Sequence, residues 1–182
     1  MIVAKLVADL ITWTRVVISL LLAWMGTALG AKALPVVVIC MIANWTGDML
    51  DGSLARRSKI RYTTWIGDHD LQVDMFVSIG LLFFLLESGY TSVWQILLYA
   101  AFWLVIFKIF GIAHSLGMLF QAPIYGLFIW VAMRDAPIYG RWIVIFLVGM
   151  IILTWPRFPK MVVPGFLSGM RQAFGPRKRT NG

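Results

Sequence analysis

Residues 48–74 read DMLDGSLARRSKIRYTTWIGDHDLQVD. They hold five of the chain's eight acidic residues: Asp48, Asp51, Asp68, Asp70 and Asp74. The 182-residue chain around them is 60% hydrophobic, against ~45–50% apolar for an average soluble domain. That composition specifies a membrane protein. A carboxylate at the centre of a membrane helix costs at least ~2.5–3.5 kcal/mol on insertion scales, so a cluster of five needs a compensating cation.

Outward from this segment the chain divides by length of apolar run. A bilayer core takes about 20 apolar residues per helix, and six stretches qualify: 10–30, 33–52, 69–88, 92–114, 119–134 and 138–156. The expected fold is an all-α integral membrane protein of six transmembrane helices, forming one domain over residues 1–182. Residues 1–9 read as an amphipathic helix lying at the interface. Residues 157–182 read as a basic, frayed cytoplasmic tail. Pro35, Pro123, Pro137 and Pro156 read as span boundaries, because proline ends or kinks a helix. The first apolar stretch is long and lacks a small-residue cleavage site, so no cleavable signal peptide is expected.

Six spans put both termini on one side. With that side in the cytoplasm, the inner segments carry thirteen of the sixteen Lys and Arg residues, and the outer loops only Lys32, Arg134 and Arg141. Cytoplasmic loops of membrane proteins are enriched in these residues, which orients the chain in the cell membrane. Residues 48–74 then lie at the cytoplasmic mouth, between the second and third spans. The net charge of +8 flanks apolar spans instead of coating a solvated domain, which argues against nucleic-acid binding. Cys40 is the only cysteine and reads as a small core residue. No Cys/His cluster has zinc-site spacing.

The acidic residues are spaced for helices. Asp48 and Asp51 are three apart and Asp70 and Asp74 four apart, so each pair shares a helical face. The polar, basic segment between the pairs suits antiparallel neighbours. Packed together, two such helices would aim four carboxylates into one small volume. Close-set anions need compensation, and helix bundles supply it by binding metal ions between facing carboxylates. All-oxygen ligation favours Mg²⁺ or Mn²⁺, and two such ions ~3.5–4 Å apart can clamp a phosphoryl group. Gly52 and Ala55 leave room for a ligand or helix to approach, and Arg56 can pair with a phosphate or a carboxylate.

The string Asp48-x-x-Asp51-Gly52-x-x-Ala55-Arg56, followed by Asp70-x-x-x-Asp74, resembles the signature of the CDP-alcohol phosphotransferase family, D-x2-D-G-x2-A-R-x8-G-x3-D-x3-D. A weaker echo, Asp9-x-x-Thr12-x-x-Arg15, is similar to the N-x-x-T-x-x-R lead-in of bacterial phosphatidylglycerophosphate synthases, with Asp in place of Asn. The spacing departs at one point: ten residues, not eight, separate Arg56 from Gly67, and two residues, not three, separate Gly67 from Asp70. Gly67, Asp70 and Asp74 nevertheless share a helical face. Asp68 is the alternative to Asp70 as a ligand if the helix begins later.

The resemblance implies a transfer of a phosphatidyl group from CDP-diacylglycerol to a small polar alcohol, with release of CMP. On that pattern Asp48, Asp51 and Asp70 hold two divalent ions, Mg²⁺ or Mn²⁺, and Asp74 is the general base. A base beside three other carboxylates has a raised proton affinity. Gly52, Ala55, Arg56 and Gly67 contact the donor. The family also implies a homodimer among membrane lipids. Arg57, Lys59, Arg61 and Lys108 can attract an anionic acceptor such as glycerol 3-phosphate, or serve as positive-inside anchors. His69 and His114 read as interfacial or helix-end residues, and the nine Trp and twelve Phe as lipid-facing or belt residues. Two other functions compete: a divalent-cation transporter or channel, and a catalytically degenerate relative that binds the nucleotide-lipid without turnover. The first needs acids on a path to both faces, whereas the five clustered acids lie at one end.

Overall fold

The structure, a computed structural model, describes residues 2–57 and 70–174, with side chains from residue 10 onward except those of residues 11, 51–57 and 70. Among these residues the regular elements are all helices, with no strand. Seven α-helices follow in order: α1 (Ile2–Leu29), α2 (Leu34–Arg57), α3 (Asp70–Glu87), α4 (Val93–Phe110), α5 (His114–Asp135), α6 (Pro137–Leu153) and α7 (Val163–Phe174). A 3-10 turn, Gly30–Ala33, links the first two, and a π-helical turn, Phe158–Val162, precedes the last.

The boundaries have local causes. Gly30 adopts φ 58°, a left-handed conformation that glycine enters without a Cβ penalty, and the chain turns back there. Ser92 starts α4 with a capping box: its hydroxyl accepts the Gln95 N–H, while the Gln95 side chain accepts the Ser92 N–H at 2.8 Å. This satisfies two of the N–H groups that a helix start leaves over. Gly111, at φ 79°, ends α4. Pro137 opens α6, where its missing N–H costs nothing.

Three expectations are corrected. Residues 2–9 are not a separate element; they run unbroken into α1, since nothing there stops a helix. Pro123 lies inside α5 instead of ending it. That helix starts at His114, five residues before the expected 119, and so reaches 22 residues. The segment after Arg157 is helical as far as Phe174. It is held by the Phe174 ring, edge-on to Phe110 with centroids 4.7 Å apart, and by a close approach of Gly169 to Ser115.

Three stretches are long and apolar enough to cross a membrane: Thr12–Leu50, Val93–Phe110 and His114–Asp135. A fourth is Pro137–Leu153 with Phe158–Phe174, if that pair, bent by 80°, counts as one span. The first is a hairpin of α1 and α2. A straight helix would put Arg15 and Asp48 about 50 Å apart at about 1.5 Å per residue, yet their side chains meet at 3.1 Å. Much of the apolar surface faces outward: Trp94, Leu98, Leu104, Ile145, Ile152 and Leu153 are all more than two-thirds exposed. Apolar patches of that extent mark a membrane or partner surface.

α1 and α3 run parallel. Ser19 Oγ donates to the Phe76 carbonyl at 2.7 Å, Gly80 lies against Ser19, and Gly26 lies against Phe84. These contacts climb both helices together. Small residues allow the approach, as is usual where membrane helices pack closely. A Cβ at Gly80 would collide with the Ser19 carbonyl oxygen. Around this seam, Leu22, Val37, Met41, Val77, Leu81 and Phe84 form a fully buried core.

Alanine at Gly80 gains up to ~1 kcal/mol of helix propensity but overpacks against backbone, at a cost of ~1–3 kcal/mol. Gly80→Ala will therefore lower the thermal midpoint of the detergent-solubilised protein. Gly126→Ala, which meets nothing within 4 Å, will hold or raise it. Equal midpoints for the two variants would contradict the α1–α3 seam.

Candidate functional site: an arginine shared by two aspartates

The site begins with Arg15, on α1. Its side chain is 2% exposed. Nη1 lies 3.1 Å from Oδ1 of Asp48 on α2, and Nη2 is bonded to Oδ1 of Asp74 on α3. Asp48 and Asp74 are 45% and 24% exposed, so Asp48 is the more open to the outside.

Helix length brings the three residues to one depth. Arg15 lies about 21 Å from Leu29, Asp48 about 21 Å from Leu34, and Asp74 about 20 Å from Glu87, at about 1.5 Å rise per residue. All three helices share their far end near the Gly30 turn. The cluster therefore lies about 20 Å along the bundle from the Gly30 turn, at about 1.5 Å per residue.

Its assembly differs from the expected one. Antiparallel α2 and α3 were to pack directly with their acids facing. Instead α1 packs along both, and among the described residues α2 and α3 make little direct approach. The reason is electrostatic: two facing carboxylates repel, and the Arg15 guanidinium between them turns that repulsion into two attractions. Asp74 therefore meets a fixed cation, not only other carboxylates.

Neighbouring positions carry polar groups at helical spacing. Thr12, Arg15 and Ser19 form one buried stripe on α1, and on α2 the buried Asn44 lies one turn from the half-exposed Asp48. Asn44 is 2% exposed, and its Oδ1 finds no hydrogen-bond partner among the described residues. On α5, the Tyr125 hydroxyl donates to Gln121 Oε1 at 3.1 Å, near enough to Arg15 and Asp48 to feel both charges. The Tyr125 ring meets Trp45 edge-on at 5.5 Å, and Trp45 stacks on Phe146 of α6 at 6.3 Å.

The other expected site residues divide by place. Asp51, Gly52, Ala55 and Arg56 occupy the last two turns of α2, and Asp70 opens α3; their side chains lie outside the described residues. Gly67, Asp68, His69, Lys59 and Arg61 lie wholly outside them. Lys108, in the last turn of α4, is exposed, as is His114 at the start of α5. Among the described residues no group of three His, Cys, Asp or Glu side chains is placed to hold a metal ion. Two of the three expected ligands, Asp51 and Asp70, fall outside that search.

The sequence marks Arg15 as an inner cation and as the last residue of the Asp9-x-x-Thr12-x-x-Arg15 string, without a partner for it, and gives no role to Asn44, Gln121 or Tyr125. The signal for Arg15 was present: an ionisable residue within an apolar span marks a functional position by default. In comparisons with family models, curated proteins and solved structures, nothing matches this chain.

A buried polar atom left unpaired costs ~1–3 kcal/mol, and replacing it with an apolar group of similar shape is neutral or stabilising. Asn44→Leu will therefore keep or raise the thermal midpoint in detergent. A clear fall would show that the Asn44 amide has a partner in the folded chain.

Proposed function

We propose that this chain is a phospholipid-synthesising transferase of the CDP-alcohol phosphotransferase type. It moves a phosphatidyl group from CDP-diacylglycerol to the hydroxyl of a small polar alcohol and releases CMP. It works in the cell membrane as a six-span protein, with the aspartates at the cytoplasmic mouth. The observation that carries this reading is the meeting of Asp48 and Asp74, from α2 and α3, on the buried Arg15. These are the first and last aspartates of the motif that resembles the family's.

The donor chemistry fits hard divalent ions. Asp48 offers carboxylate oxygen on a side chain nearly half exposed, and Asp51 and Asp70 lie one turn from Asp48 and Asp74 on the same helical faces. Asp48, Asp51 and Asp70 would hold two Mg²⁺ or Mn²⁺ ions. Such ions neutralise the negative charge that develops on departing CMP. Asp74 takes the proton of the acceptor hydroxyl. The acceptor oxygen then bonds to the lipid-side phosphorus as the bond from that phosphorus to the CMP oxygen breaks. Gly52 and Ala55 leave space beside the cytidine, and Arg56 and Gly67 complete the donor contacts on the resemblance. The outward-facing apolar surface accommodates acyl chains. Glycerol 3-phosphate is the acceptor suggested by the basic residues between α2 and α3. The resemblance alone suggests a homodimer.

One observation favours a second reading, binding of the nucleotide-lipid without turnover: Arg15 already engages both Asp48 and Asp74. A single assay separates the two. Purified protein supplied with CDP-diacylglycerol and a panel of small alcohols will release CMP only with Mg²⁺ or Mn²⁺ present. Asp74→Asn will lower that rate ~10²–10⁴-fold, the usual worth of a positioned general base. Binding of CDP-diacylglycerol without CMP release for any alcohol would favour the second reading. An Asp74→Asn variant as fast as wild type would remove Asp74 from the role of base.

A further inference from the structure

We propose that Arg15 is a resident cation that the aspartate cluster exchanges for metal, so that a divalent ion and the anionic donor bind cooperatively. This rests on the reading of Asp48 as a metal ligand and Asp74 as the base. It adds a positioning residue, Arg15, that the family signature over 48–74 does not contain.

Arg15 sits where a divalent ion would be least welcome. Its guanidinium is bonded to Asp48 and Asp74 together, and its side chain is 2% exposed. An ion arriving at the more open Asp48 meets a fixed positive charge a few ångströms away, on a carboxylate whose charge is already shared. The protein alone is therefore a poor metal binder. A donor's pyrophosphate alters both sides of that balance. Its oxygens suit the planar fork of a guanidinium, which binds phosphate as readily as carboxylate, and they bring negative charge that favours a divalent ion. Once Arg15 turns toward phosphate, Asp48 is released to metal and Asp74 to the acceptor. The exchange needs only the end of a long side chain to move. Coupling of this kind is reciprocal: whatever the donor adds to metal affinity, the metal adds to donor affinity.

Until that exchange, Arg15 neutralises part of an acidic cluster inside the membrane-spanning part of the bundle. A buried ion pair is costly to break from one side, because the remaining charge is left uncompensated. The resting protein keeps its carboxylates paired without metal, and gives them up only when a replacement partner for Arg15 arrives.

The test measures Mn²⁺ binding by electron paramagnetic resonance of the free ion, on full-length protein in detergent, with and without CDP. Wild type is expected to bind Mn²⁺ at least ten-fold more tightly with saturating CDP than without it. Without CDP, R15Q is expected to bind Mn²⁺ at least ten-fold more tightly than wild type, and CDP is expected to add less than three-fold. R15K, whose ammonium cannot fork between two carboxylates, serves if R15Q does not fold; its affinity without CDP is expected to be at least three-fold above wild type. R141Q, at the opposite end of the bundle, is expected to match wild type. Mn²⁺ affinity in R15Q, or in R15K, that equals or falls below wild type would overturn the exchange and leave the metal site standing. So would an equal CDP enhancement in wild type and R15Q. No Mn²⁺ binding by any of these proteins, with or without CDP, would overturn the metal site itself, and the exchange with it.

Discussion

A guanidinium buried among apolar helices must find anions, and carboxylates packed beside it must find a cation. Arg15, Asp48 and Asp74 answer both demands at once. The solution dictates the arrangement of the first three helices. α1 has to lie between α2 and α3, with Arg15 at the depth of both aspartates, and all three helices have to run far enough past the cluster to share an end at the Gly30 turn. Removing either carboxylate would leave a buried charge short of a partner, an error that costs several kcal/mol. The same pairing ties the two aspartates, from different helices, to one guanidinium.

The rest of the bundle supports that arrangement by closeness more than by polarity. Gly80 against Ser19, and Gly26 against Phe84, let α1 and α3 approach until backbone atoms nearly touch. In lipid, where apolar side chains gain little by leaving their surroundings, such contact is a main source of helix association. α5 closes the cluster with Gln121 and Tyr125, and α6 reaches it through the ring of Phe146 on Trp45. α4 presents most of its surface outward, with Tyr99 and Trp103 turned toward Phe120 of α5.

How much of this was legible in the sequence depended on whether the feature is coded locally. Helix positions were, because a span of bilayer length needs an apolar run of matching length, and Gly30, Ser92, Gly111 and Pro137 punctuate the runs. The approach of Asp48 and Asp74 followed from helical spacing and a short link. The order of packing did not follow, because nothing in a run of leucines says which neighbour it meets. Arg15 was misjudged for that reason: counted with the cations of the inner side, it was not asked what it paired with inside the span. Pro123 misled because proline weakens a helix without having to end it when neighbours hold the turn. The segment after Arg157 misled because Phe110 and Ser115, which hold it, lie far away in sequence.

The parallel pairing of α1 with α3 also has a consequence for how the chain is made. α1 emerges before α2 and α3, carrying its arginine, and it packs most extensively on the third helix. Asp48 becomes available when α2 folds back; Asp74 arrives only after the basic segment beyond Arg57 has been synthesised. During that interval the nascent chain carries a half-compensated charge within an apolar hairpin. Release of α1 into lipid before α3 appears would strand it. Biogenesis thus favours keeping the first three helices together at the insertion machinery, so that they enter the membrane as one unit.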